Sequence, residues 1–284
     1  MDVSALQAKA DILIEALPYI RRFSGEMLVV KYGGHAMTNL DAALSFAKDV
    51  TLLNSIGIKV VVVHGGGPQI QAMLDRVGKA SSFKNGYRVT DEETMKFVRM
   101  VLVGEVNQEI VSRINHAGGR AVGLSGADGR LLLGRKVTVG GADVGRVGVI
   151  EHVDTKHLIR LTDDGYIPVI APVAVDLEGH ALNVNADLAA SAVAAHIGAR
   201  KLLLMTDVEG VQGADGQTIS SISKDEVPSM IDTGVLTGGM LPKMKCAVDA
   251  VNGGVKKVHI VDGRLRHAML LELFTDRGVG TEVT

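Results

Sequence analysis

Two lysines and one aspartate occupy unusual positions in the sequence. Lys31 ends the apolar segment MLVVK, where burial of an ammonium group is unfavourable without an anionic partner. Lys243 begins a predicted helix after Gly238 and Gly239, and Asp187 begins another predicted helix. Two cations, a carboxylate and backbone donors suit phosphoryl transfer, which depends on positioning and charge stabilisation. The alternatives are that Lys243 is a solvated helix residue and that Asp187 stabilises only the positive end of its helix.

Glycine-rich turns form a second group of candidate residues. Glycine accounts for 34 of the 284 residues, and the turns YGG at 32–34, HGGG at 64–67 and LSG at 124–126 follow predicted strands. Because glycine has no side chain, backbone N–H groups can approach anionic oxygens, and the next helix adds its positive N-terminus. Ligands of open parallel sheets bind at the carboxyl ends of the strands, so these turns are candidate binding loops. Ordinary tight turns are the alternative.

Several common enzyme motifs are missing from the sequence. It contains no G-x-x-x-x-G-K-[ST] phosphate loop, no G-x-G-x-x-G after the first predicted strand, and no H-E-x-x-H. The nucleophile motif G-x-S-x-G of α/β-hydrolases is also missing. One cysteine, Cys246, allows neither an intrachain disulfide nor a thiolate metal cage.

Strands and helices alternate along the chain and must position these residues. Apolar segments at 27–31, 59–64, 120–124, 166–172, 201–211 and 255–263 predict strands, residues 131–153 predict short hairpins, and helical patterns lie between most strands. Continuous apolar strands separated by helices predict a parallel sheet covered on both faces. Residues 3–20 predict a first helix that ends near Pro18 or Arg22. Thr90 and Glu93 predict a capping box at the start of a long helix.

The composition excludes some function classes. The chain has 30 lysines and arginines against 32 aspartates and glutamates, and this near-neutral balance argues against non-specific nucleic-acid binding. No apolar run reaches the roughly 18 residues of a membrane span. Charged residues interrupt the first helical pattern, which argues against a signal peptide, and we expect a cytoplasmic protein.

Seven strings in the sequence resemble the amino-acid kinase family. They are VVKYGGHAM, VVVHGGGPQ, NGYRVTDEETM, GLSGADG, ALNVNADLAA, LLLMTDVEGV and GGMLPK, and the resemblance extends over residues 27 to 284. The strings NGYRVTD and NVNAD resemble those of the family members that phosphorylate N-acetyl-L-glutamate. The resemblance implies an α/β fold, a three-layer αβα sandwich around a mostly parallel central sheet. It also implies an N-lobe (23–198) for the amino-acid substrate and dimerisation, and a C-lobe (199–284) for ATP.

The resemblance further implies transfer of the γ-phosphoryl group of ATP to the side-chain carboxylate of N-acetyl-L-glutamate, an early step of arginine biosynthesis. The catalytic residues would be Lys31, Lys243 and Asp187, with Asp187 orienting both lysines. The substrate would be bound by Gly66, Gly67, Arg88 and Asn183, and the phosphates or ATP by Gly33, Gly34, Thr206, Asp207, Gly238 and Gly239. At Ala127 the resemblance leads us to expect lysine, and the alanine receives no role.

The chemistry of this reaction is simple because the attacking carboxylate is already an anion. No general base is required, and we expect direct in-line transfer without a phospho-enzyme. Repulsion between the carboxylate and the triphosphate is the obstacle, which the lysines, backbone N–H groups and Mg²⁺ would offset. The sequence shows no dedicated carboxylate cage, so Mg²⁺ would be held mainly by ATP phosphates and water.

Both ends of the chain resemble those of family members that arginine inhibits. Residues 1–22 would form a helix that interlaces dimers into a hexamer, a trimer of dimers. Residues 267–283 would contribute to an L-arginine site, with Glu272 and Gly280 as candidates. A PII-type protein is a further candidate partner. Two alternatives stay open: another amino-acid kinase, including one acting on N-acyl-aminoadipate, and a non-catalytic arginine sensor.

Overall fold

The computed structural model describes residues 3–37, 39–213 and 215–284. The helices are α1 (Val3–Phe23), α2 (Leu40–Ser55), α3 (Gly67–Arg76), α4 (Glu92–Arg99), α5 (Asn107–His116), α6 (Lys156–Asp163), α7 (Ala186–Ile197), α8 (Val227–Asp232), α9 (Met240–Asn252) and α10 (Ala268–Leu273). A π-helix, Met100–Val106, joins α4 to α5, and short 3₁₀ helices occupy Gly34–Met37 and Asp128–Arg130.

The strands are β1 (Met27–Tyr32), β2 (Lys59–His64), β3 (Phe83–Lys84), β4 (Tyr87–Arg88), β5 (Ala121–Ser125), β6 (Leu132–Val139), β7 (Ala142–Val153), β8 (Ile167–Ala171), β9 (Val173–Val175), β10 (Ala181–Val184), β11 (Lys201–Thr206), β12 (Ser221–Ile222), β13 (Lys257–Asp262) and β14 (Thr281–Val283). Eight of them form a sheet in the order β12-β14-β13-β11-β1-β2-β8-β5. Strand β14 is antiparallel to β13, and the other described pairs of this sheet are parallel. The predicted mostly parallel sheet is confirmed.

Each face of this sheet carries a helical layer. Alternate residues of a strand point to opposite faces, so Val30 and Val62 pack with α2 and α5, whereas Val29 and Val61 pack with α7 and α9. These four valines are fully buried, and burial of each contributes roughly 1.5–3 kcal/mol to folding. The arrangement is the expected three-layer αβα sandwich.

A small closed sheet, in the order β10-β7-β6-β9, stands apart from the central sheet. Residues 131–153, predicted as short hairpins, form one long hairpin of β6 and β7 with two irregularities in its register. Strand β10 carries Asn183 and leads directly into α7, so the closed sheet places the NVNAD segment beside the carboxyl ends of the central strands.

Of the two predicted ends of the first helix, the one near Arg22 is confirmed and the one near Pro18 is not. Helix α1 continues through Pro18 to Phe23, because the carbonyl group of Ile14 that loses its N–H partner lies on an exposed turn. The predicted cap at Thr90 is wrong: Asp91 caps α4 by accepting the N–H of Thr94 at 2.6 Å. Thr90 is fully buried instead, and its hydroxyl donates to the Arg88 carbonyl oxygen.

The proposed boundary between the two lobes falls at Gly198, which ends α7 in a left-handed conformation with φ of 67°. Strand β11 beyond this boundary pairs with β1 before it, so one continuous sheet crosses both proposed lobes. Among the described residues, no helix combines the length and apolarity needed to cross a membrane.

Candidate active site

Three charged side chains that are distant in sequence meet where β1, α7 and α9 converge. The Nζ atom of Lys31 lies 3.0 Å from Oδ1 of Asp187, and the Nζ atom of Lys243 lies 3.1 Å from Oδ2 of the same carboxylate. The side chain of Lys31 is 10% exposed and that of Asp187 is 12% exposed. One carboxylate therefore holds two ammonium groups, and the cluster carries a net positive charge.

The start of α7 fixes the position of Asp187. The side chain of Asn185 caps this helix and accepts the N–H of Asp187 at 2.8 Å and that of Leu188 at 3.3 Å. Burial opposes ionisation of Asp187, but the ammonium groups of Lys31 and Lys243 outweigh it and lower the pKa of the carboxyl group. Asp187 is therefore ionised at neutral pH, and each of its carboxylate oxygens is paired with a lysine.

The glycines of the turns at 32–34 and 64–67 line a cavity together with Lys31 and Asp187, and we call it the first cavity. A Cβ atom at Gly33 would lie 3.0 Å from Nζ of Lys31, and one at Gly66 would lie 2.5 Å from a methyl group of Leu102. Gly34 has φ of +71°, which favours glycine. The close approach of neighbouring side chains thus explains glycine at 33 and 66, and the backbone conformation explains it at 34.

Arg88 and Asn183 lie on the walls of the same cavity. The guanidinium group of Arg88 donates to Oε1 of Gln71 at 2.7 Å and to the Gly67 carbonyl oxygen at 3.2 Å, and it also bonds the hydroxyl of Ser81. Its Cζ atom lies 4.5 Å from the centre of the Phe83 ring. Burial lowers the pKa of Arg88, but arginine keeps its charge. A fixed planar cation therefore faces the cavity.

Asn183 is held by a residue that sequence reasoning assigned to a helix cap. Its Nδ2 atom donates to the hydroxyl of Thr90 at 3.1 Å. Thr90 in turn donates to the backbone carbonyl oxygen of Arg88, so two hydrogen bonds tie the Asn183 side chain to the backbone of β4. The amide of Asn183 is thereby fixed beside the strand that carries Arg88.

A second cavity adjoins the cluster on the side of α9. Its lining includes Thr206, Asp207, Gly239 and Lys243. Gly238 is not part of this lining but lies next to it, with φ of +53°. Lys31 and Asp187 line the first cavity and Lys243 lines the second, so the ion-paired cluster stands at their junction. This geometry can accommodate a donor on one side and an acceptor on the other.

The carboxylates in these two linings bear on how Mg²⁺ would bind. Asp187 is paired with two lysines, and Asp207 is the other acidic residue in the described linings. Two separated carboxylates do not form a cage for a divalent cation. The residues therefore fit Mg²⁺ that arrives with phosphate groups, as Mg²⁺ commonly does.

A third cavity contains Glu272, away from the charged cluster, between α1 and the C-terminal segment. Glu272 accepts the N–H groups of Val279 at 2.7 Å and Gly280 at 3.0 Å, and it lies 2.5 Å from Nδ1 of His259. Burial opposes ionisation of Glu272, but these hydrogen bonds and His259 lower its pKa. Glu272 and Gly280 are thus in direct contact, although Gly280 is not part of the lining.

Sequence reasoning missed the residues that support the HGGG turn. His64 and Asn107 are almost completely buried behind it, and Leu102 packs against it. A histidine at the end of the apolar strand VVVVH was the available signal for His64. Asn107 gave no signal, because its contacts depend on the π-helix before it.

A three-layer sandwich with two glycine turns, two adjoining cavities and a carboxylate-bridged lysine pair defines a phosphoryl-transferring α/β class. The chain belongs to the amino acid kinase family, whose model matches residues 26–262. It is similar to a protein named acetylglutamate kinase from Geotalea uraniireducens, with 55% identity over 284 residues and 97% of each chain covered. It is 52% identical to acetylglutamate kinase from Syntrophus aciditrophicus over 285 residues, which covers 97% of this chain and 96% of that protein.

The chain also resembles a solved structure of N-acetylglutamate synthase from Neisseria gonorrhoeae complexed with coenzyme A and N-acetyl-glutamate. The TM-score is 0.86 at 28% identity, covering 96% of this chain and 62% of that chain. The same synthase complexed with coenzyme A and L-arginine gives a TM-score of 0.82 at 27% identity, with 95% and 64% covered. This chain therefore spans less than two thirds of the synthase.

Proposed function

We propose that the chain transfers the γ-phosphoryl group of ATP to the side-chain carboxylate of N-acetyl-L-glutamate. The product would be N-acetyl-L-glutamyl 5-phosphate, an intermediate of arginine biosynthesis. The observation that carries the proposal is the Lys31–Asp187–Lys243 cluster at the junction of two cavities. The names of the relatives, acetylglutamate kinases with more than half of their residues identical, support the choice of acceptor.

In this proposal the first cavity binds the amino-acid substrate. Arg88 presents a planar cation that suits the two oxygens of an α-carboxylate, and Asn183 offers an amide to the amino-acid end. Gly66 is the N-cap of α3 and Gly67 is its first residue, and the first N–H groups of a helix have no acceptor within the helix. These donors would hold the substrate from the side of the turn.

Phosphoryl transfer would occur between the two lysines. Lys31 and Lys243 would neutralise the charge that opposes approach of a carboxylate to a triphosphate, and N–H groups of Gly33 and Gly34 would bind the transferred group. Asp187 would orient both ammonium groups and take no proton, because it is ionised and doubly paired. Mg²⁺ bound with the ATP phosphates would supply further positive charge. The acceptor needs no general base, so transfer would be direct.

Thr206, Asp207, Gly238 and Gly239 are proposed to bind ATP in or beside the second cavity. Helix α9 begins at this cavity, and its positive N-terminus is suited to phosphate groups. The division into an N-lobe (23–198) and a C-lobe (199–284) follows from this assignment. Location in the cytoplasm is also part of the proposal.

The substrate assignment can be tested with a coupled assay of ADP release. N-Acetyl-L-glutamate, L-glutamate and N-acetyl-L-aminoadipate are compared at equal concentrations with ATP and Mg²⁺. We expect the highest kcat/KM with N-acetyl-L-glutamate. Faster turnover of aminoadipate would support the second kinase hypothesis, since one methylene is discriminated by only about 1–3 kcal/mol. No turnover of any acceptor would support the non-catalytic sensor.

We also propose that α1 assembles the chain into a hexamer, a trimer of dimers. The helix exposes a set of large apolar side chains, namely Val3, Leu6, Ile12, Leu13, Ile14 and Leu17. Burial of these side chains against neighbouring helices would remove apolar surface from water. Leu13→Glu should convert hexamers to dimers in sedimentation, whereas Gln7→Glu on the same helix should not. A hexamer that persists in Leu13→Glu would contradict the proposal.

Feedback inhibition by L-arginine is proposed at the third cavity. Tyr19 of α1 donates to Asp276 at 2.6 Å, and both residues line this cavity, so α1 and the C-terminal segment are in contact there. Glu272 holds Gly280 in that segment, and the similar synthase was solved with L-arginine. Glu272→Gln should weaken arginine inhibition without changing uninhibited kcat. Unchanged inhibition would remove Glu272 from the site. Binding of a PII-type protein stays a prediction.

A further inference from the structure

The HGGG turn is supported from inside by two buried polar side chains that the proposed mechanism does not use. His64 is fully buried and Asn107 is 1% exposed. His64 ends β2, and Asn107 begins α5. Buried polar groups need hydrogen-bond partners, and the partners of these two side chains form a series of hydrogen bonds that runs from the central sheet to the turn.

This series of hydrogen bonds starts at a carbonyl group of the central sheet. The Nδ2 atom of Asn107 donates to the carbonyl oxygen of Val169 in β8 at 2.8 Å, and it lies 3.1 Å from Nε2 of His64. A carbonyl can only accept, so it fixes which end of the amide carries the nitrogen. The second N–H of that nitrogen then points at Nε2, which must present its lone pair.

The imidazole passes this constraint to the turn. With Nε2 as acceptor, the neutral ring carries its proton on Nδ1, which lies 2.7 Å from the carbonyl oxygen of Gly65. Burial lowers the pKa of His64 to about 4, so the ring is neutral at physiological pH. The Gly65 carbonyl is therefore held toward the buried ring.

The peptide plane carries the constraint into the cavity. In a trans peptide, the C=O and the following N–H point in opposite directions. Because the Gly65 carbonyl points inward to His64, the N–H of Gly66 points to the other side, where the cavity lies.

The π-helix brings the supporting residues onto one face. The backbone N–H of Asn107 donates to the carbonyl of Leu102, five residues earlier, instead of the residue four earlier as in an α-helix. The side chain of Leu102 contacts the turn at Gly66, and that of Asn107 reaches His64. Both supports of the turn thus come from adjacent positions on this widened segment.

We propose that Asn107 is a positioning residue that acts through His64 to aim the N–H of Gly66 at a carboxylate of the bound amino-acid substrate. The inference rests on the proposed function, in which Gly66 binds that substrate. It assigns a task to the polar pair beyond packing: the pair sets the direction of one backbone donor.

Two substitutions of His64 separate this task from a packing role. His64→Asn places an amide N–H near the position of Nδ1, so the bond to Gly65 can be kept while the bond to Asn107 is lost. His64→Gln does the reverse, because its amide extends to the position of Nε2. We expect His64→Gln to raise the KM for N-acetyl-L-glutamate about tenfold or more, as for loss of a hydrogen bond to a charged group. His64→Asn should stay within about threefold, and the KM for ATP should change in neither.

A packing role predicts the opposite order, because glutamine preserves more volume and the contact with Asn107. The inference is overturned if His64→Gln keeps the wild-type KM or if His64→Asn is the more damaging. If the wild-type chain fails to phosphorylate N-acetyl-L-glutamate, the proposed function fails instead.

Nitrogen NMR of the imidazole gives a readout that does not depend on substrate. The wild-type chain should show the proton of His64 on Nδ1. Asn107→Asp replaces the donor facing Nε2 with an acceptor and should move the proton to Nε2. Asn115→Asp, on the same helix but bonded to Ala121, is the matched control and should leave the tautomer and both KM values unchanged. A wild-type proton on Nε2 would refute the inference, even if Asn107→Asp does not fold.

Discussion

Replacement of Asp187 by asparagine removes one charge and almost no volume from the proposed active site. Two ammonium groups lie 3.0 and 3.1 Å from its carboxylate oxygens. At an effective dielectric constant of about 20, each pair gains roughly 5 kcal/mol of attraction before desolvation is counted. Removal of one partner of a buried ion pair destabilises a protein by about 3–5 kcal/mol, because a charge stays buried without compensation. We expect a loss of this size in the free energy of unfolding.

The same substitution should reduce catalysis because both lysines lose the group that orients them. Loss of one preorganised donor lowers kcat about 10²–10³-fold, and Asp187 positions two. The coupled ADP assay should therefore show kcat reduced by at least about 10²-fold in Asp187→Asn, with ATP still bound. Asp163→Asn breaks an exposed pair with Lys59 and should change stability by no more than about 1 kcal/mol and kcat not at all. A variant with near-normal kcat would refute the assignment of Asp187.

Acid should act on the same cluster. The folded-state pKa of Asp187 is lowered, so its ion pairs stabilise the fold fully above the ordinary carboxyl range. This contribution is lost as the pH falls through the folded-state pKa. Unfolding measured at decreasing pH should therefore bring the wild-type chain and Asp187→Asn closer together in stability, and a constant difference would contradict the linkage.

Three further predictions concern single side chains of the site. Lys31→Met keeps the length of the side chain without its charge and should lower kcat about 10²–10³-fold; a variant within threefold of wild type would exclude Lys31 from the transfer step. Gly66→Ala should raise the KM for N-acetyl-L-glutamate, because its Cβ would lie 2.5 Å from Leu102; Leu102→Ala should partly restore it, and Gly104→Ala, with open space, should be neutral. His64 has a pKa lowered to about 4 from 6.5, so its contribution to stability is present above pH 6.5 and lost toward pH 4. The free energy of unfolding, measured with urea, should fall less between pH 7 and pH 4.5 in His64→Asn than in the wild-type chain, by about 3 kcal/mol at most. An equal fall in both proteins would contradict this.

Much of the fold follows from local patterns in the sequence. Strands β1 and β2 are continuous runs of apolar residues because both faces of the sheet are covered, and the turns after them are marked by glycine. These features predict the parallel sheet and the edge where ligands bind. The meeting of Lys31 with Asp187 does not follow from this rule alone, because Asp187 begins α7 after β10 of the small closed sheet; the resemblance to the family implied it.

The supports of the site could not be read in the same way. The π-helix contains Leu102, whose side chain packs against Gly66, a contact between segments far apart in sequence. Thr90 has the residue type of a helix cap, but its burial beside Asn183 gives that hydroxyl a different role and leaves the cap to Asp91. Such tertiary contacts override local preferences, and sequence spacing does not record them.

Trapping of the acyl phosphate tests the central claim most directly. The wild-type chain is incubated with ATP, Mg²⁺ and N-acetyl-L-glutamate in the presence of hydroxylamine, which converts an acyl phosphate to a stable hydroxamate. We predict N-acetyl-L-glutamyl 5-hydroxamate in an amount equal to the ADP released, and neither product without the acceptor. ADP release without hydroxamate, or hydroxamate formation at the same rate in Asp187→Asn, would contradict the proposed transfer to the side-chain carboxylate at this site.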